Sequence, residues 1–303
     1  MKVEVYKDIH ETLKINAVTQ PEGVFQQPPP QIGSRMSRIE EALAKAAGMA
    51  TGGRGVETRP HTMRPGASRV PMGEKRIGGV RLPEETMVVI NDPLSPMAEE
   101  YRKLKETVVK MTKRERFDNL IAVTSATVAE GKSMTAVNLA ACLALEYDHT
   151  VLLIDADLRR PTVHKYLQLG ARKGLSDCMR EGMDVGELLV KTDIGKLTVL
   201  PAGTPVANPV ELFSSETMRN LFREMKTRYS DRYIIIDTPP VLPFAETRSI
   251  ARMADGVLLV VKEGQPSLGQ IEEALEALDT TVLGIVYNGA RQQHRNSYYY
   301  YSE

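Results

Sequence analysis

The sequence has very little cysteine, no net charge and no long hydrophobic run. Its two cysteines, Cys142 and Cys178, are far apart and lack the spacing of metal ligands, so no cysteine-based metal site is expected. The formal net charge is +0, which leaves no overall field to attract nucleic acid or acidic membrane. The longest apolar runs, such as residues 256–261, are far too short to cross a bilayer, and the N-terminus lacks a signal-peptide layout. We therefore expect a cytoplasmic protein that does not bind nucleic acid.

The chain contains a strand, a loop and a helix in an order that binds phosphate. An apolar run at residues 120–123 leads through a loop to Gly131, Lys132 and Ser133, and a helical apolar pattern follows. Backbone N–H groups at a helix N-terminus, a lysine and a hydroxyl are the groups that a nucleotide's phosphates and Mg²⁺ require. The spacing match is partial, because Ala126 stands where the usual first glycine would be. A surface turn is the alternative, but the flanking strand and helix favour a phosphate loop.

Two further apolar runs end in acidic residues. Residues 151–154 lead into Asp155 and Asp157, and residues 233–236 lead into Asp237. Four apolar residues in a row are typical of a strand buried on both faces of a parallel sheet, and the carboxyl ends of such strands meet on the side where ligands bind. Asp155 and Asp157 can serve as a Mg²⁺ ligand and as a base or orienting group, and Asp237 is placed to support Mg²⁺. A purely structural role would be costly for buried acids.

Two other polar groups are candidates for nucleotide contact. Arg159 or Arg160 follows the second strand and could contact phosphate. Asn288 is expected just beyond the last strand, where its amide could recognise a nucleotide base. A turn-forming role for Asn288 beside Gly289 is an equally simple interpretation.

The order of the elements predicts the fold class. Apolar strands near residues 256–261 and 282–286 alternate with helical stretches near 214–229, 245–253 and 267–278. This alternation is typical of an α/β protein with a doubly wound, mostly parallel sheet and helices on both faces.

The composition of the chain changes along its length, and five segments are predicted from it. They are a disordered extension at 1–35, a short amphipathic helix at 36–50, a flexible linker at 51–88, a phosphate-loop domain at 89–290 and a tyrosine-rich tail at 291–303. Basic residues in the linker are either solvated or available to acidic lipid or a partner. The tyrosines of the tail could stack on a partner or be phosphorylated, and composition alone does not decide between these.

An amphipathic helix is expected from Ser95 onward. Glu99, Arg102 and Lys105 recur at spacings of three and therefore share one face of this helix. Either the helix packs on the nucleotide domain with this face in solvent, or the face contacts another subunit.

Taken together, these motifs resemble those of the bacterial tyrosine kinases (BY-kinases), which belong with the MinD and ParA types to the deviant P-loop ATPases. The resemblance rests on residues 129–133 (AEGKS), 153–161 (LIDADLRRP) and 235–240 (IIDTPP), followed by the tyrosine-rich tail. It covers roughly residues 90–303. It implies a protein-tyrosine kinase that uses ATP and Mg²⁺ to phosphorylate the tail of a neighbouring subunit.

The resemblance also implies roles for particular residues. The catalytic residues would be Lys132, Asp155 and Asp157, and the Mg²⁺ ligands would be Ser133, Asp155 and Asp237. The nucleotide contacts would come from Ala129, Glu130, Gly131, Lys132, Ser133, Met134, Arg159 and Asn288. The phosphate acceptors would be Tyr298, Tyr299, Tyr300 and Tyr301, while Glu99, Arg102 and Lys105 would make the contacts of a ring-like homo-oligomer.

A narrower resemblance indicates the biological setting. The segment from Met36, together with Thr247 and Arg248, is similar to the subgroup associated with exosortase and exopolysaccharide gene clusters. This implies regulation of exopolysaccharide synthesis or export. It also implies activation by a membrane protein that controls polysaccharide chain length, and a peripheral position at the inner membrane through that partner.

The chain departs from the family pattern at two positions. Ala129 stands where the family has glycine, and an alanine with positive φ would be costly unless the loop holds it at negative φ. Lys105 stands where the family has arginine, which removes any bidentate contact. A hypothesis from another functional class also stays open, namely an ATPase that works as a positional or scaffolding switch without kinase activity. Ala129 adds weight to a third, a nucleotide-binding protein that has lost catalysis.

Overall fold

The computed structural model describes residues 86–113, 117–228 and 231–290. These residues form a seven-stranded sheet with helices on both faces, which confirms the predicted fold class. The expectations for residues 1–85 and for the tail lie outside the described residues. Each helix in the described ranges is too short or too polar to span a bilayer.

The sheet has the strand order β3-β4-β2-β5-β1-β6-β7. All neighbouring strands are parallel except β3, which runs antiparallel to β4 at the edge. The strands are β1 Leu120–Ser125, β2 Thr150–Asp155, β3 Val190–Lys191, β4 Leu197–Leu200, β5 Arg232–Asp237, β6 Gly256–Lys262 and β7 Val282–Asn288.

Helices connect the strands and cover the sheet. In chain order they are α1 Val88–Asn91, α2 Pro96–Thr112, α3 Lys132–Ala144, α4 Val163–Tyr166, α5 Leu175–Glu181, α6 Val185–Leu188, α7 Pro209–Ser214, α8 Glu216–Thr227, α9 Glu246–Met253 and α10 Leu268–Leu278. Ser95 caps α2 by accepting a hydrogen bond from the backbone N–H of Ala98.

The central strands are buried on both faces, as their unbroken apolar runs predict. On one face Ile121 of β1 belongs to the same core cluster as Leu139 of α3 and Leu104 of α2. On the other face Leu120 of β1 shares a cluster with Phe222 of α8. All six residues of β1 are buried, and this fixes the start of the phosphate loop in a rigid setting.

The sequence missed the short elements at the edge of the sheet. Strands β3 and β4 contain two and four residues, too few for a clear periodic pattern. Asn288 is the last residue of β7 rather than a residue beyond it, so the predicted end of that strand was wrong. Met87 and Val88, which were assigned to the linker, are buried in the core beside α2 and α3.

Candidate active site

The phosphate loop joins β1 to α3 and has two residues in the left-handed region. Gly131, the N-cap of α3, has φ +92°. Ala129 has φ +64°. Of the two conformations expected for this alanine, the structure therefore adopts the costly one, with positive φ. The loop therefore holds an alanine in a backbone conformation that normally favours glycine.

The side chain of Glu130 is turned inward and holds the loop. Its carboxylate accepts hydrogen bonds from the backbone N–H of Thr127 at 2.5 Å, from Thr127 Oγ1 at 2.9 Å and from the backbone N–H of Lys262 at 3.1 Å. Its backbone carbonyl accepts a hydrogen bond from Asn288 Nδ2 at 2.8 Å. These bonds tie the loop to the ends of β6 and β7. The nucleotide contacts expected of Glu130 and Asn288 remain predictions.

Asp155 and Asp237 lie side by side because β2 and β5 are parallel neighbours in register. The two residues are paired partners at the carboxyl ends of these strands, and both are fully buried. Asp155 accepts hydrogen bonds from the backbone N–H groups of Asp157 at 3.3 Å and Val163 at 3.1 Å. Sheet register thus brings together two acids that are 82 positions apart in the numbering of the chain.

Lys132, the first residue of α3, bridges the acidic residues. Its Nζ lies 2.9 Å from Asp157 Oδ2 and 3.5 Å from Asp237 Oδ1, and it donates to Ser133 Oγ at 3.1 Å. Burial acts to lower the pKa of Lys132, but the charges of Asp237 and Asp157 outweigh it and leave the pKa above its usual value. The lysine is therefore a fixed cation at the mouth of the loop.

Burial has the opposite effect on the two paired carboxyl groups. It raises the pKa of Asp155 well above its usual value, and the neighbouring charge of Asp237 raises it further. Burial also raises the pKa of Asp237, with Lys132 acting against it. Among the described residues, Asp237 Oδ2 has no hydrogen-bond partner. A buried acceptor without a partner is costly, and a cation at this point would satisfy it.

A cavity of about 250 Å³, here called the phosphate cavity, opens beside Lys132. Of the predicted site residues, it is lined by Ala129, Gly131, Lys132, Ser133, Asp157 and Arg159. Glu130, Met134, Asp155, Asp237 and Asn288 are not in its lining.

Sequence reasoning missed several walls of the phosphate cavity. Thr162 and Tyr166 line it from the α4 region, and Pro240 and Phe244 line it from the segment after β5. Burial and the charge of Asp237 raise the pKa of Tyr166, which keeps its phenol protonated. Only Pro240 belongs to a motif, and no local signal in the sequence marks the other three.

Arg159 lines the phosphate cavity but is held by a protein carboxylate. Its Nε lies 2.5 Å from Oε1 of the fully buried Glu246, and its guanidinium carbon lies 4.9 Å from the centre of the Phe244 ring. The predicted phosphate contact of Arg159 would therefore compete with this ion pair. Glu246, at the start of α9, is a positioning residue that the motif analysis did not find.

The donors around the phosphate cavity fit Mg²⁺ better than a metal held wholly by protein. Within the described part of the chain there is no cluster of three or more His, Cys, Asp or Glu side chains arranged to hold a metal. Ser133 Oγ and Asp237 Oδ2 are both oxygen donors, and Asp237 Oδ2 has no hydrogen-bond partner in the described part of the chain. Mg²⁺ is commonly bound by one or two such groups together with substrate phosphates.

We expect Asp237→Asn to stabilise the nucleotide-free protein. Because the pKa of Asp237 is raised from 3.8 in the folded protein, the native state loses stability as pH rises from that value through the raised one. An asparagine keeps the contact to Lys132 without the buried charge, so the free energy of unfolding should rise by about 1 kcal/mol at pH 8 and change little at pH 4. Thermal unfolding at the two pH values measures this.

Asp193 is exposed, so Asp193→Asn is the matched control and should leave the free energy of unfolding unchanged at both pH values. A lower unfolding temperature for Asp237→Asn at pH 8 would show that the Asp237 carboxylate stabilises the folded protein instead of destabilising it.

Comparison with known proteins places these motifs in context. The model of the AAA domain family matches residues 118–283. The tyrosine-protein kinase YwqD of Bacillus subtilis is 34% identical over 221 residues, which are 72% of this chain and 92% of the relative.

Two solved structures are similar in fold and in sequence. The kinase domain of the Escherichia coli tyrosine kinase ETK matches with a TM-score of 0.64 and 26% identity, covering 71% of this chain and 84% of that one. The chimerical protein CapA2B2 matches with a TM-score of 0.63 and 27% identity, covering 69% of this chain and 91% of that one.

Proposed function

The chain belongs to the bacterial tyrosine kinases and is a protein-tyrosine kinase, and on that basis we propose that it transfers the γ-phosphoryl group of ATP to the tail tyrosines of a neighbouring copy. The observation that carries this proposal is the position of Lys132 Nζ, between Asp157 and Asp237 at the wall of the phosphate cavity. A cation is thus fixed beside two acids at the end of the phosphate loop.

The reaction needs charge stabilisation and a proton acceptor. Lys132 would neutralise the β- and γ-phosphate oxygens, and the backbone N–H groups at the start of α3 would bind the same phosphates. Asp157 is better placed than Asp155 to receive the phenolic proton, because Asp157 lines the cavity and Asp155 does not. Both oxygens of Asp155 accept backbone N–H groups. In Asp157, Oδ1 accepts the backbone N–H of Arg160 and Oδ2 pairs with Lys132, which would turn to the phosphates when ATP is bound. The phenolic oxygen then bonds to the γ-phosphorus, the bond to the β–γ bridging oxygen breaks, and ADP leaves.

Ser133 and Asp237 would hold Mg²⁺, with Asp155 supporting its shell from the adjacent strand. When bound, Mg²⁺ would neutralise charge that develops on the transferred phosphoryl group. Asp237 would hold the ion through Oδ2, which has no hydrogen-bond partner among the residues that the structure describes, while Asp155 stays anchored by backbone N–H groups. The two acids therefore take different roles in this proposal.

Labelled ATP tests the reaction. The full chain incubated with γ-labelled ATP and Mg²⁺ should become labelled, and peptide mapping should place the label on residues 298–301. Phosphate release from an unlabelled chain would favour the switch ATPase instead. Failure to bind ATP would favour a protein that has lost catalysis.

The setting of the kinase is a further proposal. The resemblance to the exopolysaccharide-associated subgroup supports regulation of exopolysaccharide synthesis or export, with a membrane protein that controls polysaccharide chain length as activator. The similar CapA2B2 structure is described as a chimerical protein, which fits a kinase that works joined to a second polypeptide. Through that partner the chain would lie at the inner membrane.

A surface beside α2 supports self-association. Arg102 pairs with Glu99 at 2.6 Å and also donates to the carbonyl of Pro93, next to Leu94, which is 94% exposed. Lys105 pairs with Glu146 at 2.6 Å, next to Tyr147, which is 93% exposed. The predicted contact face is thus flanked by two large exposed apolar side chains. Such side chains are typical anchors of protein interfaces.

We expect phosphorylation of the tail to reduce the size of the oligomer. Each phosphate adds about −1.5 to −2 charge, and clustered phosphates on neighbouring tails repel one another. Light scattering before and after phosphatase treatment measures this, and dephosphorylation should increase the mass.

Arg102→Glu should give the smaller oligomer both before and after phosphatase treatment, because it reverses a charge on the contact face. Arg223→Glu, an exposed arginine on α8, is the matched control. Equal masses before and after phosphatase treatment of the unmutated chain would contradict the expectation.

A further inference from the structure

A second cavity, of about 460 Å³, lies beyond the wall of the phosphate cavity. Its lining comes from two stretches, residues 161–173 and residues 201–205. The titratable side chains that line it are those of His164, Arg172 and Lys173. No residue of this lining has a role in the phosphoryl transfer described above.

The second cavity belongs to a basic part of a chain that has no formal net charge overall. Residues 158–176 contain five lysines and arginines and no aspartate or glutamate: Arg159, Arg160, Lys165, Arg172 and Lys173. The whole chain has 39 of each sign, so this concentration of positive charge is local. Arg159 is paired with Glu246, and the other four cations of this segment favour an anionic ligand.

The cations of the second cavity are available to a ligand. Arg172 is anchored through Nε to the carbonyl of Leu169 at 2.7 Å, and in the described residues no carboxylate forms an ion pair with it. Lys173 pairs with Glu181 at 2.6 Å, but both side chains are about half exposed, and a solvated pair of this kind is readily exchanged. Burial and the charge of Lys165 lower the pKa of His164, so its ring can donate a hydrogen bond without carrying charge.

The buried Asp177 near the second cavity is hydrogen-bonded through one carboxylate oxygen, Oδ2. Asp177 accepts hydrogen bonds from the backbone N–H groups of Gly174 at 2.8 Å and Thr204 at 3.0 Å, which ties α5 to the loop at 201–205. Asp177 is not in the lining, and its other oxygen, Oδ1, has no hydrogen-bond partner among the described residues. Its bonds to Gly174 and Thr204 shape the wall of the cavity.

The two cavities share one wall. Arg160 and Thr162 line the phosphate cavity, whereas Pro161 between them lines the second cavity. On the single turn of α4, Tyr166 faces the first and His164 the second. A peptide with several adjacent tyrosines could therefore place one side chain in each cavity.

We propose that the second cavity binds a phosphotyrosine already formed on the tail of a second copy of this chain, while another tyrosine of that tail occupies the phosphate cavity. This rests on the proposed function, since the tail is the acceptor there. The four consecutive tyrosines at 298–301 supply both groups. Arg172 and Lys173 bind the phosphate, and Arg172 is the principal contact because a guanidinium matches phosphate geometry. Each transfer then favours the next on the same tail.

Peptide binding tests the site without catalysis. The dephosphorylated full chain, without ATP, is titrated with a fluorescent peptide of residues 291–303 that carries either phosphate on Tyr299 or none. We expect the phosphorylated peptide to bind about tenfold more tightly, the ratio that one charge-assisted contact supplies. Equal affinities would overturn the proposal. Displacement by an equal concentration of inorganic phosphate would also overturn it, because it would mean that the cavity binds phosphate without the peptide.

Matched variants locate the effect. Arg172→Ala/Lys173→Ala should abolish the tenfold preference, and Arg172→Lys/Lys173→Arg should keep most of it. Arg219→Ala/Arg223→Ala removes the same charge from α8, outside both cavities, and should leave the preference unchanged. If both double alanine variants lose the preference for the phosphorylated peptide equally, the preference comes from overall charge, and the proposed binding site is wrong. The charge-preserving pair shows whether the fold tolerates change here.

Mass spectrometry of the tail provides the second readout. During reaction with ATP, the share of labelled tails that carry two or more phosphates should fall about tenfold in Arg172→Ala/Lys173→Ala. An unchanged share would overturn the proposal. If the unmutated tail takes up no phosphate, the proposed acceptor is wrong, while the peptide titration still decides whether the cavity binds phosphotyrosine.

Discussion

Lys132→Met should reduce tail phosphorylation by at least about a thousandfold. The methionine keeps most of the side-chain volume but removes the cation that lies 2.9 Å from Asp157 and 3.5 Å from Asp237. A preorganised charge that contacts the phosphoryl group usually raises the rate on the order of a hundred- to a thousandfold. Lys132 would both neutralise the phosphate oxygens and balance the charge of the two acids. Transfer of label from γ-labelled ATP to the tail measures the loss.

The same substitution also alters the electrostatics of the folded protein. Without the lysine, the acids at the ends of β2 and β5 lose their counter-charge, and leaving a buried charge unpaired typically costs a few kcal/mol. Unfolding must therefore be measured beside activity. Lys110→Met, at an exposed position on α2, is the matched control and should retain full activity. A Lys132→Met chain that is folded and still labels its tail would contradict the mechanism.

The inactive chain also tests transfer between copies. A Lys132→Met chain with an intact tail is mixed with an active chain whose tyrosines 298–301 are changed to phenylalanine. Label on the Lys132→Met chain demonstrates transfer in trans. If neither chain is labelled, although the unmutated protein labels itself, then transfer occurs within one copy.

Gly131→Ala should strongly weaken nucleotide binding. At φ +92° an alanine costs about 1–2 kcal/mol. The added Cβ would lie 2.1 Å from Asn288 Nδ2, so this amide must move and lose its bond to the carbonyl of Glu130, at a cost of about 1 kcal/mol. The total of about 2–3 kcal/mol is smaller than the stability of an ordinary domain. The protein should therefore remain folded with a displaced loop, and ATP affinity measured by calorimetry should fall at least about tenfold.

Two further variants make this expectation specific. Ala129→Gly places glycine at the other positive φ of the loop and should preserve ATP affinity while raising stability by up to about 1 kcal/mol. Adding Asn288→Ala to Gly131→Ala removes the clash but not the backbone strain, so affinity should recover in part. Full affinity in Gly131→Ala alone would mean that the loop does not depend on this geometry.

The sequence predicted the elements that have strong local patterns. Strands β1, β2, β5, β6 and β7 are continuous apolar runs, because strands buried on both faces of a parallel sheet have no solvent side. The short edge strands β3 and β4 carry too few residues to form a pattern. The predicted group of Lys132, Ser133 and Asp157 does line one cavity, since each follows or opens an element whose end the sequence marks.

The sequence by itself determined the order of strand, loop and helix, the residue types at each strand end, and hence the kinase family. Only the tertiary structure decided which of those residues face the cavity. Glu130 turns inward to Lys262, which is 132 positions away, and Arg159 is held by Glu246, which is 87 positions away. Such contacts depend on how strands order and register in the sheet. The order and register of the strands depend on the packing of the whole core, so no local pattern of residues encodes them.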